Sequence, residues 1–342
     1  MVAVVYDELR SSGWLRNKPF DLAFIVGITL LALASGAAVT LDRHLLVPIL
    51  LADLWLLGYH HVVSTFTRLC FDNHSLRRYR FLVFGLPLVI GAACLAAVAA
   101  SGVWIVVAVY FYWQWFHYAR QSWGIAQAYR RKANSALPAP DTFDLIAFYA
   151  LPVAGILSRS AQQPESFLAM PIRMLPMPQE IAAAAAVAAM ALAGVWAVKT
   201  ALLYGKGRAP LGYVLYLVSH QAIFAMAYLV IRDITVGWLV VNIWHNAQYV
   251  LFVWMFNNRR FSAGVSPKAR LLSWLSQDGR LAWYLGFCVL VSTGLYWAIG
   301  SVLPLFFTLP MFVAYQIINF HHYVVDAVIW RRAQVKDALE HA

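Results

Sequence analysis

Charge is what this sequence has least of. Asp, Glu, Lys and Arg together make up 12% of its 342 residues, and only 15 residues are acidic, whereas about a quarter of a soluble globular domain is charged. So little charge excludes the ordinary water-soluble class. Cysteine is equally sparse: Cys70, Cys94 and Cys288 stand far apart with no CxxC spacing, so no disulfide framework is expected. No Pro- or Ser-rich stretch divides the chain, and no internal repeat argues for an inverted-repeat transporter. One helical transmembrane domain over residues 1–342 is therefore the expectation.

What fills the chain instead is apolar. Hydrophobic residues make up 62% of it, and the mean hydropathy is +0.66, which points to an all-α, polytopic integral membrane bundle. A transmembrane helix needs about 20 mostly apolar residues. Ten stretches qualify: about 21–40, 46–69, 80–100, 102–129, 142–158, 181–203, 211–231, 234–257, 281–302 and 306–330. The basic residues test that count, because Lys and Arg collect on the cytoplasmic side. With both termini cytoplasmic, 22 of the 26 Lys and Arg fall on that side, leaving only Arg43, Arg159, Arg173 and Arg232 outside. Residues 1–20 then form a cytoplasmic N-terminal segment and 331–342 a cytoplasmic tail. The first apolar stretch is span-length and reads as retained, in the inner (plasma) membrane of a bacterium. The net charge of +11 is accounted for by this cytoplasmic rim facing anionic headgroups, so the bilayer is the expected partner and nucleic acid is not.

Two connections are long. The outside loop 159–180 carries four prolines and is expected to wrap the outer face. The inside loop 258–280 contains "SPKARLLSWLSQDGR", with the alternation of a helix lying on a membrane surface. The stretch "EIAAAAAVAAMALAGVWAV" has small side chains all round and reads as a packing helix.

Histidine is the conspicuous polar residue. Seven of the ten lie within expected spans: His60, His61, His117, His220, His245, His321 and His322. His44 and His341 fall near helix or chain ends and His74 on the cytoplasmic side. Ionisable groups inside a membrane are rare and by default face a bundle interior and carry function. All seven lie roughly 8 to 13 residues from the cytoplasmic basic groups, on the order of 12 to 20 Å deep at 1.5 Å per residue. Helical spacing then aligns polar stripes: Asp53, His60, Ser64 and Thr67; Tyr110, Gln114, His117 and Gln121; Tyr213, Tyr216 and His220; Asn242, His245, Asn246 and Tyr249; Tyr315, Asn319, His322 and Asp326. His321 is turned aside by about a quarter turn. One such histidine is as often a hydrogen-bonded packing residue as a ligand, but five stripes at one depth argue for a shared site.

Neutral imidazole suits Fe, Zn, Cu and Ni, and a His-rich, carboxylate-poor site argues against Mg, Ca or Mn. Asp326 is either a ligand or the acceptor that fixes the His322 tautomer. Asn319, Gln121, Gln114, Asn242 and Asn246 can serve similarly, or can hydrogen-bond between helices. Arg120 either binds an anionic head or snorkels to the surface, with snorkelling favoured. Aromatics on the same helices, among them Trp113, Trp115, Phe116, Tyr118, Trp123, Trp244 and Trp254, would make an apolar chamber suited to a lipid-like substrate.

The patches "GYHHVVSTFTR", "WFHYARQ", "WHNAQY" and "NFHHYVVDAVIW" resemble the histidine motifs of multi-spanning membrane non-haem iron oxygenases. Among these are the Brp/Blh-type carotenoid-cleaving dioxygenases and, further off, the membrane fatty-acid desaturases and hydroxylases; bacterial membrane proteins of unassigned function are similar too. The HxxxH and HxxHH boxes of desaturases are absent, as is an HGxxD-like motif. The resemblance implies iron held by His60, His117, His245 and His322, with His61, His220 and His321 as further candidates. It implies use of O2 to oxidise a C–H or C=C bond of a lipid-like substrate entering from the bilayer, with an electron-donor protein as partner. Four histidines suit one metal and six or seven could support two; Zn or Cu are alternatives to Fe. Two other classes compete: haem or quinone electron transfer, with two histidines as axial ligands, and a metal or proton transporter, against which the scarcity of intramembrane carboxylates counts.

Overall fold

In the computed structural model the chain is almost wholly helical, and residues 13–132, 137, 139–306 and 311–340 are described. In chain order the helices are α1 (Lys18–Leu41), α2 (Arg43–Cys70), α3 (Asn73–Arg78), α4 (Phe81–Ser101), α5 (Trp104–Lys132), α6 (Thr142–Gln162), α7 (Gln179–Gly205), α8 (Leu211–Val230), α9 (Ile234–Arg260), α10 (Arg270–Leu275), α11 (Leu281–Phe306), α12 (Met311–Ile329) and α13 (Arg332–Glu340). Among the described residues seven of these, α1, α2, α4, α6, α7, α8 and α11, are long and apolar enough to cross a membrane. That is the mark of an integral membrane protein.

The other three expected spans form α5, α9 and α12, which are long enough but more polar. They carry His117, His245, His321 and His322 together with the amides of their stripes. Burial explains how such helices are tolerated. Every residue of α9 from 236 to 250 is buried, and a face turned to protein need not be as apolar as one turned to lipid.

The chain folds as two compact units interleaved in sequence. The first comprises Met1–Val47 with Phe111–His245, the second Pro48–Tyr110 with Asn246–Ala342. In the first unit α6 packs along α7, and α8 packs on α6 and α1. The start of α6 is fixed by a capping box between Asp141 and Asp144. Lys199 of α7 reaches both carboxylates, at 3.0 and 2.7 Å, and Trp196 donates to Asp144 at 3.1 Å. The four-proline loop holds a two-stranded hairpin, β1 (Ser166–Phe167) with β2 (Met170–Pro171). It is anchored by Phe167, fully buried against Phe111 and Trp238. At the end of α6, buried Arg159 donates to the carbonyls of Ala227, Ile231 and Arg232 and to Gln162, satisfying backbone groups where α8 unwinds.

In the second unit α11 packs on the latter half of α2, and α12 packs on α4 and α2. Leu69, Tyr79, Leu86, Val325 and Ile329 form a core there. Asp72 caps α3 through the Ser75 N–H at 2.7 Å and pairs with Arg260 at 3.0 Å, both side chains being almost fully buried. The surface helix expected from "SPKARLLSWLSQDGR" forms as a 3-10 turn, Pro267–Ala269, followed by α10. Leu272 and Leu275 are its buried side, with Leu271 and Trp274 exposed.

Candidate metal centre

The local shape of α2 decides which histidine points inward. Residues Leu54–Gly58 form a π turn, closed by the Tyr59 N–H on the Leu54 carbonyl. A π turn inserts one extra residue into the helix, so everything beyond it is rotated by about 100°. The stripe that an unbroken helix would run from Asp53 through His60, Ser64 and Thr67 instead passes through His61, Thr65 and Arg68. Gly58 fits the close approach here: an added Cβ would stand 3.4 Å from the Tyr315 hydroxyl and 3.6 Å from the Asn246 amide.

In the second unit this rotation brings the His61 ring edge-on to that of His322, with centroids 4.7 Å apart. One ring nitrogen of each lies within 4.8 Å of the other, and a ring nitrogen of His322 lies within the same distance of an Asp326 carboxylate oxygen. His322 Nδ1 lies 2.8 Å from Thr65 Oγ1 and 3.7 Å from Asp326 Oδ1. The Tyr249 hydroxyl donates to Asp326 Oδ1 at 2.7 Å, lies 2.7 Å from Thr65 Oγ1, and accepts from the Trp330 indole at 3.3 Å. A carboxylate and a hydroxyl beside Nδ1 favour the tautomer protonated there, which turns the Nε2 lone pair towards a metal. Arg68 completes the cluster, buried with its guanidinium 4.0 Å over the Phe256 ring and 4.6 Å over Trp330.

This donor set fits a transition metal. Two neutral imidazoles suit iron, zinc or copper, and a carboxylate at Nδ1 of one of them orients that ring from the side away from Nε2. Among the described residues, buried Asp326 Oδ2 has no hydrogen-bond partner, nor has His60 Nε2. An orphaned carboxylate oxygen in a protein interior is costly unless something compensates it.

The first unit holds its own pair. His117 of α5 and His245 of α9 have ring centroids 5.0 Å apart, and the Tyr118 ring lies 4.0 Å from His245. Gln114 donates to the Tyr118 hydroxyl at 2.6 Å, and that hydroxyl donates to Asn242 Oδ1. Amides and a phenol flank these imidazoles where the second unit uses a carboxylate. Gln121, one turn past His117, has both amide atoms buried without a hydrogen-bond partner among the described residues.

The remaining histidines are placed otherwise. His220 uses both nitrogens, 2.9 Å from Ser122 Oγ and 3.0 Å from the Phe148 carbonyl, and stacks on the Phe148 ring at 3.7 Å. His321 Nε2 lies 2.6 Å from the Leu82 carbonyl, and its ring stacks on Phe66. His60 Nδ1 lies 3.0 Å from the Leu56 carbonyl of its own helix. Asn319 donates to Gln316 Oε1 at 3.1 Å, the interhelical-type amide bonding weighed above being here a bond within α12. Arg120 is exposed, in keeping with snorkelling. His341 lies outside the described residues. Thr65 and Arg68 are the participants that regular helical spacing misses, because nothing in the residues from 54 to 58 announces an inserted turn.

No family model, curated protein or solved structure matches this chain.

Proposed function

We propose that this chain is a membrane metalloenzyme of the non-haem type, which uses a transition metal, iron first, and O2 to oxidise a lipid-like substrate. The observation that carries the reading is the His61–His322 pair in the second unit, with Asp326 and Thr65 at His322 Nδ1 and Tyr249 holding the carboxylate. Two imidazole ligands, one of them oriented by Asp326, leave coordination positions open for substrate chemistry. The metal would supply the redox step; the protein's part is to fix the His322 tautomer and exclude water. The reading keeps ten spans, with α5, α9 and α12 crossing the membrane besides the seven apolar helices, both termini cytoplasmic, and an electron-donor protein as partner.

Elemental analysis of detergent-purified protein tests this. Wild type should hold close to whole equivalents of a transition metal. His61→Ala and His322→Ala should each lose most of it, while His321→Ala and His220→Ala keep it. The number of equivalents lost by His117→Ala reports whether the first unit's pair is also occupied. Metal-free wild type, or retention by both His61→Ala and His322→Ala, would overturn the assignment. Haem would reveal itself by an intense visible absorption band.

A further inference from the structure

A second feature of the chain lies apart from the histidines. A cavity of ≈ 590 Å³ is lined by Asn73, His74, Arg77 and Arg78 of α3 and by Lys268 of the 3-10 turn before α10, all within the second unit. Three of the five lining side chains are permanent cations. One acidic residue offsets them: Asp337 of α13 takes Arg78 at 3.0 Å and His74 at 3.1 Å, and Gln334 accepts from Arg78 at 3.0 Å. Arg77 and Lys268 are exposed and, among the described residues, have neither an ion pair nor a hydrogen bond. Formal charge around the cavity is thus about three positive against one negative, a concave site that concentrates anions.

Its place in the chain decides what kind of anion reaches it. Asn73 is three residues past the end of α2 at Cys70, and Arg78 three residues before α4 begins at Phe81. The cavity therefore opens where two membrane helices leave the bilayer, at the height of lipid phosphates. Apolar side chains stand on both flanking elements. Phe81 and Phe84 on α4 are 61% and 65% exposed, and Leu271 and Trp274 on α10 are 47% and 37% exposed. Those surfaces suit acyl chains, and an aromatic ring at a helix end suits the interface.

We propose that this cavity binds the phosphate of an anionic phospholipid, with Arg77 and Lys268 as its principal contacts and Arg78 held in place by Asp337. Arg offers a bidentate fork to phosphate and Lys a point charge, and together they fit a phosphodiester with no second headgroup cation to repel. A zwitterionic lipid carries such a cation and binds less well.

The full-length protein in nanodiscs or detergent, titrated with phosphatidylglycerol, phosphatidylcholine or inorganic phosphate and read by native mass spectrometry or fluorescence, tests the proposal. Wild type should retain phosphatidylglycerol over phosphatidylcholine. The double variant Arg77→Gln with Lys268→Gln should bind it roughly 10- to 30-fold more weakly, from about two phosphate-facing charges. Both side chains are exposed, so folding should be intact, to be checked by an unchanged thermal midpoint. A control at another basic rim, Lys206→Gln with Arg208→Gln, should leave affinity unchanged. Equal affinity for the two lipids, no loss in the double variant, or an equal loss in the control would overturn the proposal. Inorganic phosphate competing as well as the lipid would assign the cavity to a free anion and overturn it likewise.

Discussion

The two units satisfy their buried arginines and histidine pairs by different means. In the second unit carboxylates do it. Asp72 neutralises Arg260, and Asp326 faces His322 and Tyr249. In the first, the buried Arg159 guanidinium is held by backbone carbonyls and Gln162, and the His117–His245 pair is flanked by the Gln114, Tyr118 and Asn242 network. Carbonyl and amide dipoles carry no proton to gain, whereas a carboxylate does. Among these groups acid and metal should therefore act chiefly in the second unit, and each experiment below either breaks that contrast or sharpens it.

The largest effect is expected at Asp72. Asp72→Ala strips Arg260 of this carboxylate and α3 of its cap. Removing one partner of a buried pair costs about 3 to 5 kcal/mol, readable by denaturation in detergent. The same residue gives the contrast a sign with pH. Burial opposes the charged form of Asp72, but the Ser75 N–H and the Arg260 guanidinium outweigh it and hold the carboxyl below its ordinary value of 3.8. A folded-state value below the unfolded one means that the unfolded chain takes up the proton first. The stabilisation is therefore complete above about pH 4 and is lost as pH falls through the lower folded value. Asp72→Asn should flatten the acid limb of the melting profile; an unchanged limb would mean that other groups set it.

Asp326 comes next. A carboxylate that fixes a ligating imidazole typically contributes 10- to 100-fold in metal affinity. Asp326→Asn should lower affinity by about that factor in competition with a chromophoric chelator, and Tyr249→Phe should act in the same direction. Asn242→Ala, in the amide-flanked pair of the first unit, should leave the metal affinity proposed for His61 and His322 unchanged. Equal losses from Asp326→Asn and Asn242→Ala would erase the distinction between the two pairs.

Much of this was legible in the residues. The helical class and the membrane character follow from hydropathy alone, because lipid-facing helices such as α4 and α7 must be apolar on every exposed side. The polar stripes of α5, α9 and α12 did point to their neighbours: Gln114, His117, Asn242 and His245 meet in the first unit, and His322 and Asp326 in the second. Two things were not legible. The π turn at 54–58 moves the inward position from His60 to His61, and helical spacing assumes an unbroken helix. The partners of His220 and His321 are backbone carbonyls of Phe148 and Leu82, and a carbonyl left open by the fold has no side-chain signature.

Backbone packing offers a smaller test. An added Cβ at Gly237 would overlap the Ala227 carbonyl and crowd the Arg159 guanidinium, just where the first unit's carbonyl cage is built. Gly237→Ala should destabilise by about 1 to 3 kcal/mol, the usual cost of overpacking a filled interior. Gly91 in the second unit has nothing within 4 Å of such a Cβ, so Gly91→Ala should be neutral or slightly stabilising, a helical Gly being the weaker former. If both variants melt alike, the cage around Arg159 is less rigid than its hydrogen bonds imply.

The smallest effect sets the floor for the comparison. The first unit has ion pairs with carboxylates too, Lys199 with Asp141 and Asp144 and Arg43 with Asp233, and in the last of these the side chains are 57% and 35% exposed. Water and salt screen such a pair, and its contribution is about 0 to 1 kcal/mol. Arg43→Ala should shift the melting midpoint little at low salt and not at all at about 0.5 M salt, where the Debye length falls to a few ångströms. Asp72→Ala should keep nearly its whole penalty under the same salt, because the buried pair it breaks is shielded by protein. Matching salt dependence in the two variants would show that solvent reaches Arg260, and the contrast between a carboxylate-paired Arg260 and a carbonyl-held Arg159 would fail at its strongest point.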